Sequence, residues 1–225
     1  FLIGTWKFAR PCIGCQKCMD NQLHHDGELI CSGNAVFGHD DNDASLPEPE
    51  TIKNVMVVGG GPAGIEAARV AAIRGHHVTV YEAADRLGGQ LIPAIVPPYK
   101  QNLADYIPYM EGQAEYRGFT VELNHPITRE EVARLKPDVV IVATGVLPAV
   151  LPIPGFDKPL VMNAKEALLG KPTGKNIVII GGGTVGCETA EWMLDAGKSV
   201  TIVEMSDRLM GKMVETTRFV LKAHL

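Results

Sequence analysis

The fold of this chain is decided by a stretch that occurs twice: NVMVVGGGPAGIEAARVAAIRGHHVTVYEAADRLGGQL at 54–91 and NIVIIGGGTVGCETAEWMLDAGKSVTIVEMSDRLMGKM at 176–213. The two copies align without a gap. Each runs from a β-branched apolar segment through a glycine-rich turn into a helical pattern, then into a second apolar segment that ends in an acidic residue. Two copies this far apart indicate two separate domains, because the repeats of a solenoid follow one another at short period.

Both copies carry the pattern Gly-x-Gly-x-x-Gly, followed after 18 positions by glutamate. In dinucleotide-binding folds the first glycine allows a tight turn, the second lets the backbone approach a pyrophosphate, and the third permits close helix–strand packing. The helix N-terminus can bind phosphates and the glutamate can accept hydrogen bonds from a ribose. A glycine-rich turn without ligand is the alternative. The candidate dinucleotide-binding residues are Gly59, Gly61, Pro62, Ala63, Gly64 and Glu82 in the first copy and Gly181, Gly183, Thr184, Val185, Gly186 and Glu204 in the second.

The copies differ after their second strand. The first continues as DRLGGQL at 85–91, where two glycines would let the chain pass close to a flavin diphosphate, whereas the second keeps a bulky Met210 before Gly211. This difference favours FAD in the first site and NAD(P) in the second. The further candidates for FAD binding in this segment are Arg86, Gly88, Gly89 and Gln90.

The residues after Glu204 indicate which nicotinamide cofactor the second site prefers. Met205, Ser206 and Asp207 follow, and no cation occurs before Arg208. A 2′-phosphate would therefore face a carboxylate without an immediate arginine partner, which favours NADH over NADPH.

The composition excludes several other classes of protein. The chain has 225 residues, 46% of them hydrophobic and 21% charged, with a formal net charge of −5. Its charges are not clustered, which argues against a nucleic-acid partner. No apolar run approaches the roughly 20 residues of a membrane-spanning helix, and the apolar content is too high for disorder. We therefore expect a folded cytoplasmic protein of one or two domains.

From Ile52 onward, short apolar runs alternate with helical patterns, which predicts an α/β chain with mostly parallel sheets. The expected domains are 1–45, a cysteine-rich segment with a linker to 51; 52–150, the first part of an FAD-binding domain; and 151–225, an incomplete NAD(P)-binding domain. Between the two copies the patterns predict helices over Lys100–Gly118, Thr128–Leu135 and Asn163–Leu169 and a short strand over Phe119–Leu123. The run at 138–148 is predicted to be a buried strand that leaves through a Gly/Pro turn.

Four cysteines, Cys12, Cys15, Cys18 and Cys31, have the spacing C-x2-C-x2-C-x12-C. Neighbours three apart suit a shared metal centre better than disulfides, and four thiolates can hold zinc or an iron–sulfur cluster. Three ligands on one tight loop with a distant fourth favour a [4Fe–4S] cluster, as does a flavin with which it could exchange electrons. Zinc and free or disulfide-bonded cysteines remain alternatives.

Residues 55–213 resemble the flavoprotein reductases with two dinucleotide-binding domains, in which the NAD domain is inserted within the FAD domain. ATGVLP at 143–148 is similar to their second FAD-side fingerprint, a strand that ends in Thr-Gly beside the flavin, and this implies FAD contacts for Ala143, Thr144 and Gly145. Glu188 matches a glutamate at the nicotinamide end of the second site. An ordinary acid in the first turn of a helix is the alternative for Glu188.

A narrower resemblance rests on RPCIGCQKC at 10–18, the distant Cys31 followed by Ser-Gly-Asn, and VVGGGPAGIEAARVAA at 57–72. Together they are similar to the iron–sulfur flavoenzymes of the NADH:flavin oxidoreductase group, which includes 2-enoate reductase, 2,4-dienoyl-CoA reductase and trimethylamine dehydrogenase. The second copy is most similar to the 2-enoate reductase branch. Members of the group also carry an N-terminal (β/α)8 barrel with FMN and the catalytic acid, and they return to the FAD domain after the NAD domain. We therefore expect this chain to be a fragment of such a protein.

The resemblance implies an NADH-dependent oxidoreductase in which electrons pass from NADH to FAD, to the [4Fe–4S] cluster and to FMN in a barrel domain or subunit. The final step would reduce an activated C=C bond of a 2-enoate or dienoyl-CoA. No side chain of this chain is a convincing general acid, so we predict no catalytic residue here. The alternatives are an amine dehydrogenase with ADP in the first site and a non-catalytic electron-transfer subunit. An oligomer is compatible with the reductase and with both alternatives.

Overall fold

The computed structural model describes residues 6–24, 27, 29–38 and 46–225. The acidic part of the linker predicted at 40–51 lies mostly outside these residues. The chain divides into two compact units, one made of Phe1–Cys15 with Cys31–Leu147 and the other of Gln16–Ile30 with Pro148–Leu225. Each unit is built around one copy of the repeated sequence.

The first unit contains a four-stranded sheet with the order β3-β2-β1-β4. All of its strand pairs are parallel; Val57 of β1, for example, pairs with Val80 on one side and Ile141 on the other. The three central residues of β1 are buried, as the near-continuous apolar runs of parallel sheets require. The strands are β1 (Asn54–Val58), β2 (His77–Tyr81), β3 (Thr120–Glu122) and β4 (Val139–Val142). The prediction that β4 is buried is wrong, because β4 lies at one end of the strand order of the described sheet and its residues alternate between half-buried and exposed.

The described residues also form two short 3₁₀ turns and nine α-helices. The 3₁₀ turns are Trp6–Phe8 and Pro98–Lys100. The α-helices of both units, in chain order, are α1 (Lys17–His24), α2 (Pro62–Ile73), α3 (Leu91–Ala94), α4 (Gln101–Ala104), α5 (Tyr106–Arg117), α6 (Arg129–Leu135), α7 (Ala164–Leu168), α8 (Thr184–Asp195) and α9 (Glu215–His224).

Helix α2 connects β1 to β2 and supplies one side of the core. It begins with proline at its first position, where the missing N–H is not needed by the helix, and ends before Gly75, whose φ is +85°. Its Ile65 and Ala68 lie in one buried cluster with Val57 and Val80 of the sheet and with residues of α5. The strand–turn–helix–strand order of the repeat therefore folds as a βαβ unit.

The second unit repeats this arrangement with fewer strands. The parallel strands β5 (Asn176–Ile180) and β6 (Ser199–Val203) pair in register, and α8 connects them. One buried cluster of its core contains Cys187, on the first turn of α8, Met210, and Leu221 of α9. The predicted α/β class with parallel, Rossmann-like sheets is confirmed.

The segment predicted as one helix, Lys100–Gly118, forms two helices that meet at Asp105. Proline explains the break: Pro108 cannot donate a hydrogen bond to Ala104, four residues earlier, and its ring would clash with that carbonyl. Helix α1 was not expected from sequence, since the cysteine-rich segment shows little periodicity. Within the described ranges, no helix combines the length and apolar character needed to cross a membrane.

The sheet offers a matched test of core packing. Val57 is fully buried, whereas Val142, on the neighbouring strand, is 73% exposed. We expect Val57→Ala to lower the free energy of unfolding of this chain by about 1.5–3 kcal/mol, because it removes buried methyl groups and leaves a cavity. Val142→Ala should change it by less than about 0.5 kcal/mol. Urea unfolding followed by circular dichroism measures both, and equal losses would contradict this account of the core.

Candidate dinucleotide sites

The first glycine turn brings the end of β1 against the strand that carries the Thr-Gly motif. Gly59 has a φ of +110°, and its N–H donates to the carbonyl of Tyr81 at 2.8 Å. A Cβ on Gly59 would overlap the carbonyl oxygen of Ala143, and one on Gly64 would overlap the carbonyl oxygen of Gly59. Neither position can accept a side chain, so the turn has the close packing for which these glycines were singled out.

Glu82 closes this turn from the end of β2. Its Oε2 accepts the N–H of Gly60 at 2.6 Å and its Oε1 accepts the N–H of Ala84 at 2.7 Å. A carboxylate has about four acceptor positions, so both oxygens retain capacity for ribose hydroxyls. The side chain predicted to bind a ribose therefore also fixes the glycine turn.

The Gly-Gly segment lies directly beside the turn. Gly88 donates its N–H to the carbonyl of Gly60 at 3.0 Å, and Gly88 and Gly89 have φ values of +124° and +51°. A Cβ on Gly89 would lie 3.1 Å from the Cα of Gly61. Two bare backbones thus meet at the N-terminus of α2, and a side chain on either would fill the space between them.

The remaining candidates of the first site lie around this point. The Gln90 side chain donates to the carbonyl of Val146 at 3.1 Å, which links the Gly-Gly segment to the ATGVLP stretch. Thr144 and Gly145 are exposed, and Gly145 has a φ of +76°. Arg86 is also exposed and pairs with Asp85 at 3.1 Å.

The second turn has the same backbone geometry. Gly181 has a φ of +105°, and its N–H donates to the carbonyl of Val203 at 2.8 Å. A Cβ on Gly186 would overlap the carbonyl oxygen of Gly181. Glu204 accepts the N–H of Gly182 at 2.6 Å and that of Ser206 at 2.8 Å. The sequence repeat is thus matched by repeated hydrogen bonds.

The aligned position 88/210 distinguishes the two turns. Met210 donates its N–H to the carbonyl of Gly182 at 2.7 Å, as Gly88 does to that of Gly60. Met210 has a φ of +54°, and only 1% of its surface is exposed. Its side chain packs against Cys187 and Leu221. The bulky residue noted in the sequence is therefore part of the core of the second unit.

Both crossover helices present a free N-terminus to these turns. Gly61 and Gly183 are the N-cap residues of α2 and α8, and among the residues that the structure describes no side chain caps either helix. Pro62, Ala63, Thr184 and Val185 are exposed there. Unpaired N–H groups and the positive end of the helix dipole suit a phosphate at both places.

Glu188 lies half-buried on the second turn of α8, four residues after the start of the helix. Its aligned partner in the first copy is Glu66. Glu66 accepts hydrogen bonds from two arginines, Arg10 and Arg69. A nicotinamide contact for Glu188 stays a prediction.

Two residue pairs of these turns were not singled out from the sequence. Gly60 and Gly182 are buried, and a Cβ on them would meet Leu87 and Leu209 respectively. These leucines pack beneath the turns, behind the surface that would face a ligand. Their matched places in the repeat, in GGG and DRL, were the available signal.

All four cysteines of the N-terminal segment are free thiols. Cys12, Cys15 and Cys31 belong to the first unit and Cys18, on α1, to the second. In the part of the chain that the structure describes, no group of three or more His, Cys, Asp or Glu side chains is arranged to hold a metal ion. The donor chemistry fits a thiolate-ligated centre, and the cluster itself stays a prediction.

The hydrogen bonds to Glu204 lead to a pH-dependent stability. The N–H groups of Ser206 and Gly182 hold the pKa of Glu204 below its usual value. A carboxyl whose pKa is lowered by folding stabilises the fold above its unfolded pKa, near 4.3, and this contribution is lost as pH falls through the folded value. We expect Glu204→Gln to lower the Tm at pH 7, with a difference from wild type that shrinks below about pH 4.5. Thermal unfolding across this range measures the effect. Asp207→Asn, at an exposed carboxyl of the same loop, is the control, and a difference that persists unchanged at pH 3 would contradict the assignment.

Comparison with known proteins identifies similar chains along nearly the whole sequence. A cinnamate reductase of Clostridium sporogenes is 41% identical over 203 residues, which cover 90% of this chain and 30% of that protein. An NADH oxidase of Thermoanaerobacter brockii is 38% identical over 222 residues, covering 96% of this chain and 34% of that protein. The chain thus spans about a third of the length of these relatives, which contain additional sequence.

The structural similarity agrees with this. The solved structure of a 2-naphthoyl-CoA reductase complex superposes with a TM-score of 0.88 at 31% identity, over 95% of this chain and 33% of that one. The predicted resemblance to 2-enoate-reductase-like flavoenzymes is confirmed. The family model described as pyridine nucleotide-disulphide oxidoreductase, an FAD- and NAD(P)-binding fold, matches residues 20–106 and 53–225. This chain belongs to the pyridine nucleotide-disulphide oxidoreductase family.

Proposed function

We propose that this chain is the FAD- and NADH-binding part of an iron–sulfur flavoenzyme that reduces an activated C=C bond, such as that of a 2-enoate or an enoyl-type thioester. The observation that carries the proposal is the pair of glycine turns, each with an open helix N-terminus and a carboxylate at the end of the second strand. The names of two relatives, a cinnamate reductase and a 2-naphthoyl-CoA reductase, support this substrate class.

The first turn is proposed to hold FAD. Gly61 and Gly89 expose bare backbone at the N-terminus of α2, where a diphosphate can approach the helix N–H groups. Glu82 is placed to accept hydrogen bonds from the adenosine ribose while it keeps its own bonds to the turn. Ala143, Thr144 and Gly145 follow β4 and would line the flavin end. When bound, FAD supplies hydride acceptance and the release of electrons one at a time.

The second turn is proposed to hold NADH. Thr184 and Val185 provide the exposed first turn of α8 for the pyrophosphate, and Glu204 lies where a ribose hydroxyl would be recognised. Glu204 is the negatively charged group at this place, because its pKa is lowered by its backbone donors. A 2′-phosphate would be repelled there, which supports NADH over NADPH.

The cysteines at 12, 15, 18 and 31 are proposed to hold a [4Fe–4S] cluster, which carries single electrons when it is present. All four are free thiols at the spacing described above. An FMN-binding barrel, within the additional sequence of the longer relatives or in a separate subunit, would then contain the substrate site. The residues of this chain bind and orient cofactors, and none is assigned to proton transfer with the substrate.

Anaerobic mixing of the full-length, flavin-loaded protein with NADH tests the electron input. We expect the flavin absorbance to bleach with NADH, and the apparent affinity for NADPH to be at least about tenfold lower because of the carboxylate repulsion. Glu204→Ala should raise the KM for NADH more than it lowers kcat, since it removes a binding contact. No bleaching with either nucleotide would contradict the proposal, and a pure loss of kcat would contradict the role of Glu204.

Iron content tests the cluster separately. After anaerobic reconstitution we expect a broad absorbance near about 400 nm, typical of thiolate-ligated iron–sulfur clusters. Replacing Cys31 with serine should reduce it, whereas Cys187→Ser, at the buried cysteine of α8, should leave the iron content unchanged. A colourless protein with one equivalent of zinc would contradict the cluster assignment.

A further inference from the structure

We infer that Arg10 is a positioning residue that holds both ends of the cysteine loop against helices α2 and α5 of the first unit. The two ends are the entry arm, residues 10–12, and the exit arm, residues 31–33. The role in a redox enzyme rests on the proposed function, because it is the cysteines between these arms that are proposed to bind the cluster. The contacts themselves all lie within the first unit.

The guanidinium of Arg10, which belongs to the entry arm, contacts the exit arm and both helices at once. Its Nη1 donates to the carbonyl of Gly33, in the exit arm, and lies 3.2 Å from the hydroxyl of Tyr106 on α5. Its Nη2 donates to both carboxylate oxygens of Glu66 on α2, at 3.1 and 3.2 Å. A planar fork with several donors can make these contacts together, whereas the single ammonium of a lysine cannot match the geometry.

The exit arm has a second attachment at the same carbonyl. The buried hydroxyl of Tyr106 donates to the Gly33 carbonyl at 3.0 Å. Gly33 is itself buried and follows Cys31 by two residues. The chain on the C-terminal side of the fourth cysteine is therefore held by two donors on one oxygen, the hydroxyl of Tyr106 on α5 and the guanidinium of Arg10 in the entry arm.

Glu66 is held firmly enough to serve as an anchor. Arg69 donates to it from Nε at 3.0 Å and from Nη2 at 2.9 Å, and only 3% of the Arg69 side chain is exposed. Burial alone would raise the pKa of Glu66, but the hydrogen bond from Arg69 and the charge of Arg10 lower it. Glu66 is thus an anion between two guanidiniums at neutral pH, two residues after the last glycine of the turn.

The segment that leads into the entry arm, residues 8–10, follows one face of α5. The Gln113 side chain donates to the carbonyl of Phe8 at 3.2 Å, Phe8 stacks on Tyr116 at 5.2 Å, and Arg10 lies over the ring of Tyr109 at 5.1 Å. These α5 residues are spaced by three, four and seven positions, which places them on one side of a helix. Arg10 is where this packed segment meets the exit arm.

Nothing in the dinucleotide motif requires this arrangement. The second copy has Glu188 and Glu191 at the positions of Glu66 and Arg69, and there Glu191 pairs with His224 of α9 at 2.6 Å. We call Arg10 with Gly33, Glu66 and Tyr106 the arginine clamp. The clamp is specific to the copy that carries the cysteine segment, and it connects that segment to α2, whose N-terminus faces the first glycine turn.

Hydrogen–deuterium exchange on the full-length protein tests the inference, with or without iron bound. We expect Arg10→Gln to speed exchange in peptides covering residues 9–15 and 31–37 by about tenfold or more, because the arms open locally. Exchange in β1 should stay unchanged. Glu115→Gln is the matched control, since it removes the exposed ion pair between α5 and Lys7 at 2.6 Å without touching the clamp. Exchange in both arms at the control's rate would overturn the inference.

Two further variants separate the arms and the chemistry. Tyr106→Phe should speed exchange at 31–37 more than at 9–15, because the Gly33 carbonyl loses its donor from α5. Arg10 loses one acceptor, the Tyr106 hydroxyl, but keeps Gly33 and Glu66. If Arg10→Gln speeds exchange in β1 as well, this indicates general unfolding. Tyr106→Phe then decides the question, and unchanged exchange at 31–37 in this variant would overturn the inference. Arg10→Lys keeps the positive charge but loses the planar guanidinium with its several donors. The exit arm should therefore exchange as fast as in Arg10→Gln. Exchange as slow as in the wild type would show that the charge alone is sufficient and would overturn the role of the guanidinium geometry.

Iron retention then separates the clamp from the proposed function. If the protein binds the cluster, Arg10→Gln should release iron to a chelator at least about fivefold faster than Glu115→Gln does, because local opening exposes the ligands. Equal release with faster exchange would overturn the link between clamp and cluster. A protein that binds no iron contradicts the proposed function, and the exchange measurements still test the clamp.

Discussion

Both halves of this chain depend on a close approach that only glycine permits. A Cβ on Gly64 or on Gly186 would overlap a carbonyl oxygen of the turn that begins the helix, so each crossover helix packs directly against its first strand. This approach aims the helix N-terminus at the end of the sheet and brings the second-strand glutamate within hydrogen-bond reach of the turn. The strands, helices and ligand-facing backbone are all arranged around this contact.

The carboxylates that are proposed to bind a ribose also hold the fold of the turns. Glu82 and Glu204 each accept two backbone N–H groups, so the turn is already shaped when a ribose would arrive. Preorganised polar groups lose little entropy on binding, and a charge satisfied by backbone donors is stable in a partly buried place. An acidic residue at this position therefore keeps the turn rigid, and the same carboxylate is the group proposed to recognise a ribose.

Outside the motif, the two copies have diverged on the outer face of the crossover helix. In the first copy Glu66 accepts hydrogen bonds from Arg69 and from Arg10 of the cysteine segment, and in the second Glu191 pairs with His224 of α9. Position 88/210 diverged similarly, as a bare backbone in one copy and as the buried Met210 in the other. One scaffold therefore attaches different neighbours through a few side chains, while its glycine turn is unchanged.

The sequence by itself determined the two βαβ units, their glycine turns and the acidic strand ends, because these depend on local patterns with fixed spacing. It predicted α6, whose Thr128 caps the helix with Glu131, but it predicted one helix where the structure has α4 and α5. The break comes from the clash of the Pro108 ring with the carbonyl of Ala104, which a pattern of polar and apolar residues does not show. The arginine clamp could not be predicted. Its members, Arg10, Gly33, Glu66 and Tyr106, are far apart in the chain, and only the tertiary packing of α2 against α5 brings them within hydrogen-bond distance.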